Sequence, residues 1–155
     1  MKLLEFKELL KSKSLNRITL PENSELKFRL QTALMHVASE ATAKRLIVQE
    51  EPIDAIRTFY NPIDDVITYM RKPVATDNDS AEVDIDEELL DAVALYIMAG
   101  LERAQAGSHM SLYNKEIALY EDRLSEKSFG DYTQDESKFT QFDTSSKYET
   151  FGFPL

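Results

Sequence analysis

The chain has 155 residues, 43% of them hydrophobic, no cysteine and a net charge of −10. That length suits one ordinary domain with a buried core; the missing cysteine excludes disulfides and thiolate metal sites, and the acidic balance argues against holding a phosphate backbone through the overall field. No apolar run is long enough for a bilayer and acids interrupt Met1–Glu8, so neither a membrane span nor a signal peptide is expected, and the chain reads as cytosolic.

Residues 2–12 read as a short amphipathic helix, with Leu3, Phe6, Leu9 and Leu10 on its apolar side. Ser12, Ser14 and Asn16 end the pattern. Pro21 to Ser24 signals the next helix, with Asn23 and Ser24 as candidate N-caps. Leu26, Leu30, Ala33, Leu34, Val37, Ala38 and Ala41 then recur at i, i+4, i+7, i+8, i+11, i+12 and i+15, one continuous stripe. His36 adjoins that stripe. It reads as a surface or satisfied core group, because a metal site needs three or four convergent ligands.

Leu46-Ile47-Val48 suits a strand or a helix end, and Glu50-Glu51-Pro52 argues against a continuing helix. Two β-prone runs follow, Ile56–Tyr60 and Val66–Arg71, around the turn-forming Asn61-Pro62-Ile63-Asp64-Asp65. This predicts a β-hairpin within about 53–73, which must lean on the bundle or on another subunit. The competing reading is a helix from Pro52 with Ile53, Ile56 and Tyr60 on one face. Residues 73–84 read as an acidic linker. Asp77 to Glu88 faintly echoes a calcium loop, but Ala81 and Glu82 replace its ligand and its glycine, so calcium is not expected. Asp84 with Glu87 has capping-box spacing.

Asp84–Lys127 predicts two antiparallel helices joined at Gly107-Ser108. The first carries Leu89, Val93, Tyr96, Ile97, Gly100, Leu101 and Ala104 on one side, with Glu87, Glu88, Asp91, Glu102 and Gln105 largely opposite. The second carries Tyr113, Ile117, Tyr120 and Leu124. Ala33, Ala38 and Ala41 facing Gly100 and Ala104 would let helices approach closely. The stripes need one another for burial, so the fold class is mainly α: a bundle of three to four helices over 1–127, with a β-hairpin excursion. Beyond Lys127 no helical period is sustained. Residues 128–155 read as an extended arm whose Phe129, Tyr132, Phe139, Phe142, Tyr148, Phe151 and Phe153, with Leu155, dock on a partner; the alternative is an arm folded back on its own bundle.

No glycine-rich phosphate loop, serine elbow or paired-carboxylate cleft is visible, and His36 and His109 do not combine into a triad or metal site. No catalytic residue, cofactor or metal is expected, and His109 receives no role.

The pattern resembles the head-to-tail connector, or adaptor, proteins of tailed bacteriophages. The resemblance covers residues 24–127. It rests on the helix at 24–43, the β-rich excursion ending Tyr69-Met70-Arg71-Lys72-Pro73, the acidic run Asp84–Ala92 leading into a long helix, Ala99-Gly100-Leu101-Glu102-Arg103, and the tyrosine-bearing helix Tyr113–Tyr120. It implies a structural protein of the virion neck, assembled in the host cytoplasm as a homo-oligomeric ring of about twelve copies. Its partners would be other copies of itself, the portal and a tail or stopper protein, with DNA only passing through. The arm would grip the portal or a neighbour, and Glu87, Glu88 and Asp91 would be channel-facing candidates. The alternatives are a small-terminase-like nucleic-acid-binding packaging protein and a generic protein-interaction module. The packaging reading would draw on Lys7, Lys11, Lys13 and Arg17, or on Lys27, Arg29, Lys44 and Arg45.

Overall fold

The computed structural model describes residues 1–134, with side chains as far as residue 125. Met1–Tyr120 form one compact unit, and Glu121 opens a second, described to Gln134. The architecture is mainly α with a small antiparallel sheet, as the periodicities require.

Helix α1 spans Leu3–Lys13 and buries Leu3, Phe6 and Leu10. Helix α2 spans Asn23–Glu40, and all seven residues of its expected stripe, Leu26 through Ala41, are buried. Its N-cap is Glu22 rather than Asn23 or Ser24. Asn23 serves as a strut instead: its amide donates to the Asp77 carbonyl at 3.0 Å and to Asp79 at 2.9 Å, and its oxygen accepts from Lys7 at 3.0 Å.

After α2 a single 3-10 turn, Lys44–Leu46, leads into strand β1 (Ile47–Val48), so Leu46-Ile47-Val48 is turn and strand in succession. Strands β2 (Ala55–Asn61) and β3 (Val66–Arg71) form the expected hairpin, and the alternative helix from Pro52 is not adopted. The sheet order is β1-β3-β2, both pairings antiparallel, with an irregularity between Ala55 and Arg57. The stretch 73–84, expected as a linker, is packed. Pro73, Ala75 and Val83 are buried, Lys2 bridges to Glu82, and the Leu3 N–H donates to the Ala81 carbonyl at 2.9 Å.

Helix α3 (Leu90–Leu101) is the centre of the core. Its expected stripe describes one side only, because Leu90, Ala92, Ala94, Leu95 and Met98 are buried as well. The cause is position: both α1 and α2 pack on it. A helix enclosed by neighbours is apolar all round. Gly100 and Ala104 are exposed, and it is the Arg29 side chain of α2 that lies over Gly100. A Cβ at Gly100 would stand 3.0 Å from the Arg29 guanidinium.

Two further expectations are corrected. Asp84 and Glu87 form no capping box; the 3-10 turn Glu87–Leu89 starts from Asp86, and Asp84 binds arginines. The α3–α4 break falls at Glu102, followed by the turn Arg103–Gln105, not at Gly107-Ser108. Glu102 is drawn inward by Arg17 and His109, which sets the break there, and Gly107 and Ser108 become the first turn of α4 (Ala106–Gln134). Within α4, Tyr113 and Tyr120 are buried, as their spacing predicts. The helix continues past Lys127, so Phe129 and Tyr132 lie in α4 rather than in an arm. Phe139, Phe142, Tyr148, Phe151, Phe153 and Leu155 lie outside the described residues.

Candidate functional site

The hairpin is fixed at its base and bare at its tip. Cross-strand pairing sets Arg57 opposite Met70, which is fully buried, so this face looks toward the body of the unit. The Arg57 guanidinium donates to the Ala38 carbonyl at 3.2 Å and lies 5.8 Å from the Phe59 ring centroid. Ala38 is in the last turn of α2, where carbonyls lack helical donors and a cation meets the negative end of the dipole. The Arg57 Nε is buried with no partner among the described residues.

The second anchor closes on β3. Asp84 accepts from Arg71 Nη1 at 2.7 Å and Nη2 at 2.8 Å, from Arg45 Nε at 3.1 Å and from the Val74 N–H at 2.9 Å. Burial pushes the Asp84 carboxyl upward, but the hydrogen bonds from Arg71, Val74 and Arg45 outweigh it and hold the group down at about 2. Two residues on, Asp86 accepts from the Lys44 and Arg45 N–H groups at 2.7 and 2.6 Å, which caps the turn before β1. The Asp84–Asp86 segment thus pins both ends of the sheet region, residues 44–45 and 71.

Away from this base the hairpin buries little. Tyr60, Ile63, Val66 and Ile67 are 57%, 67%, 45% and 46% exposed. The connecting loop is nonetheless ordered. Asn61 Oδ1 accepts from the Ile63 N–H at 3.0 Å, Asn61 Nδ2 donates to Asp64 at 3.0 Å, and the Tyr60 hydroxyl donates to Asp65 at 2.9 Å. Ile63 is therefore held outward by an Asx turn. The pairs Val48–Tyr69, Thr58–Tyr69 and Tyr60–Ile67 place an apolar band across the outer face of the sheet. The predicted strands pointed to this hairpin. The two arginines that fix it were not singled out, although an arginine at an inward strand position is a signal for an anchored ribbon.

Two polar clusters brace the helices. Glu102, buried, accepts from Arg17 Nε and Nη2 at 2.9 and 3.1 Å and lies 2.8 Å from His109 Nε2. A carboxylate only accepts, so Nε2 carries the proton and His109 Nδ1 is left buried with no partner among the described residues. The Arg17 hydrogen bonds hold the Glu102 carboxyl below its ordinary range against the opposing pull of burial, with His109 assisting. Glu102 was expected on the outer side of its helix. In the second cluster, His36 stacks on Tyr96 at 4.4 Å between centroids and its Nε2 lies 3.4 Å from Glu40. Tyr113 donates to the same Glu40 oxygen at 2.6 Å, joining α2, α3 and α4. Burial, then the Glu40 hydrogen bond, pushes the Tyr113 phenol upward, so it stays protonated and donating.

The channel-facing candidates lie on the entry to α3. Glu87 pairs with the Met1 amine at 2.9 Å, Asp91 pairs with Lys13 at 2.9 Å, and Glu88 is exposed. Six of the eight candidate bases pair with acids: Lys7 with Asp79, Lys11 with Glu8, Lys13 with Asp91, Arg17 with Glu102, Arg29 with Glu25 and Arg45 with Asp84. Among the described residues no group of three or more histidines and carboxylates is placed to hold a metal ion, and no helix is long and apolar enough to cross a membrane. No protein-family model, curated protein or solved structure matches the chain.

Proposed function

We propose that this is an assembly protein of the head-to-tail connector kind. It forms a ring of its own copies, docks beneath a portal in the virion neck, extends the DNA channel and presents a platform to the tail. The observation that supports this reading is the hairpin: two arginines and a buried methionine fix its base, while an ordered tip exposes Tyr60, Ile63, Val66 and Ile67. Isolated exposed apolar residues are ordinary, but Tyr60 and Ile67, paired across the strands on the outer face with Ile63 in the loop beyond them, form a patch that suits a protein interface. The reading assigns no catalytic step, metal or cofactor. The pairing of most candidate bases with the chain's own carboxylates disfavours the packaging alternative, which needs basic groups free for phosphates.

The test is the mass of particles formed by the protein alone and mixed with portal rings, compared for the natural chain and the double variant Ile63→Asp, Ile67→Asp. Both side chains are exposed, so the variant should keep its helical circular dichroism and thermal midpoint while losing ring or portal association. Unchanged association would remove the hairpin from the reading. Tight DNA binding that weakens steeply with salt would replace the connector with the packaging protein.

A further inference from the structure

The hairpin tip has a counterpart of opposite charge on the face of α2 beside the hairpin's own root. There the Gln31 side chain holds the stretch that follows β3 much as a strand would. Its amide donates to the Pro73 carbonyl at 3.0 Å and its oxygen accepts from the Ala75 N–H at 2.9 Å. Pro73 and Ala75 are buried, so the alternation of an extended chain turns Lys72 and Val74 outward. Lys27 and Phe28 stand one turn before Gln31 on α2 and are exposed as well. Phe28 is 76% exposed and Val74 65%. Neither Lys27 nor Lys72 has an ion-pair partner among the described residues. Asp77, further along beside Asn23, leaves Lys27 unpaired. In a chain of net charge −10, this is a small apolar face that keeps two uncompensated cations.

We infer that the face formed by Lys27, Phe28, Lys72 and Val74 receives the hairpin tip of a second copy of the chain. The inference rests on the assembly reading above and names the contact that would build the ring. The tip brings Tyr60, Ile63 and Ile67 for Phe28 and Val74, and Asp64 and Asp65 for the lysines. Both carboxylates are set in place by neutral donors, Asn61 and Tyr60, so no cation among the described residues offsets their charge. Such complementarity fixes the register of a contact and rejects like charge on like, which disfavours a tip-to-tip dimer. The two surfaces cannot meet within one chain. The ribbon is paired along its length, and five steps of β3 carry Val66 about 17 Å from Arg71, the residue before Lys72. A contact between two different surfaces is heterologous: it repeats from copy to copy and closes into a ring where the rotation allows.

Two charge-swapped chains test the inference. One carries Lys27→Glu and Lys72→Glu. The other carries Asp64→Lys and Asp65→Asn, the asparagine keeping an acceptor for Tyr60 at a position with φ 55°. Sedimentation with and without portal rings gives the mass of the natural chain, of each swapped chain, and of the two swapped chains mixed. The natural chain should assemble, and each swapped chain should stay monomeric because it offers like charges to its own kind. In the mixture each tip finds an opposite face on the other chain, so assembly should return with the two chains in equal number. The sequence has no cysteine, so a chain carrying both Ile63→Cys and Val74→Cys supplies a second reading: oxidation should link it into a series of covalent oligomers. Swapped chains that assemble alone, a mixture that fails to assemble, or an assembled cysteine chain that does not cross-link would each overturn the inference. Assembly of the natural chain would leave the assembly reading standing in all three cases. A natural chain that stays monomeric under every condition would overturn both.

Discussion

Asp84→Asn tests the clasp that holds the hairpin, and the geometry sets its size. Folded, the Asp84 carboxyl titrates at about 2, against an ordinary 3.8, and its side chain is 14% exposed. At about 1.4 kcal/mol per decade, that difference amounts to about 2 kcal/mol of stability at neutral pH. Asparagine keeps an oxygen for the Val74 N–H but cannot answer the charges of Arg71 and Arg45. Because the folded value is depressed, the contribution is fully present above the unfolded value near 4 and disappears as pH falls through about 2. Denaturant titrations should therefore show a gap of about 2 kcal/mol between natural chain and variant at pH 7, or about 4–8 °C in Tm. The gap should close as pH approaches 2. A gap below about 0.5 kcal/mol at pH 7, the range of ordinary surface changes, would refute the clasp. So would a gap of the same size at pH 7 and pH 2.

Other substitutions probe separate features. Tyr113→Phe removes the hydroxyl that donates to Glu40 and should cost about 1.5 kcal/mol in chemical denaturation, the low end for a charged acceptor because Glu40 is partly solvated; no loss would mean the contact contributes nothing. Leu34→Ala, at a position fully buried in α2, should cost about 2–5 kcal/mol and broaden or abolish the thermal transition. Leu15 sits at φ 55° and is 73% exposed, so Leu15→Asn should raise stability by about 0.5–1 kcal/mol by relieving a left-handed conformation, and a lower Tm would contradict this. Glu102→Gln leaves Arg17 and His109 without their shared anion and should lower Tm and speed amide exchange around residues 101–109.

The parts of the fold legible in the sequence are those governed by one-dimensional periods. Helix α2 buries every residue of its stripe because a single face of it meets the core, and the β-hairpin falls between turn formers whose chemistry is local. Helix α3 was half legible. Periodicity assumes one buried side, and a helix with neighbours on two sides defeats that assumption, as Leu90, Ala94 and Met98 show. Polar placement was the least legible. Asp84 has capping-box spacing with Glu87, yet two arginines from residues 45 and 71 compete for it and prevail by charge. Glu102 resembles a solvated helix residue until Arg17, far off in sequence, is brought beside it. Gly107-Ser108 has the composition of a turn, but the break is set by that buried carboxylate. The candidate site shares this division: the ribbon was foreseen, and the arginines that fix it were not.

The double clasp at Asp84 and Asp86 has a mechanical consequence. The stretch from residue 44 to residue 71 is fastened at both of its ends by one short acidic stitch, and between them by Arg57 on the end of α2. Protonation of Asp84, or traction on the stitch, should loosen the end of β3 while Arg57 and Met70 still hold the ribbon against helices that remain shut.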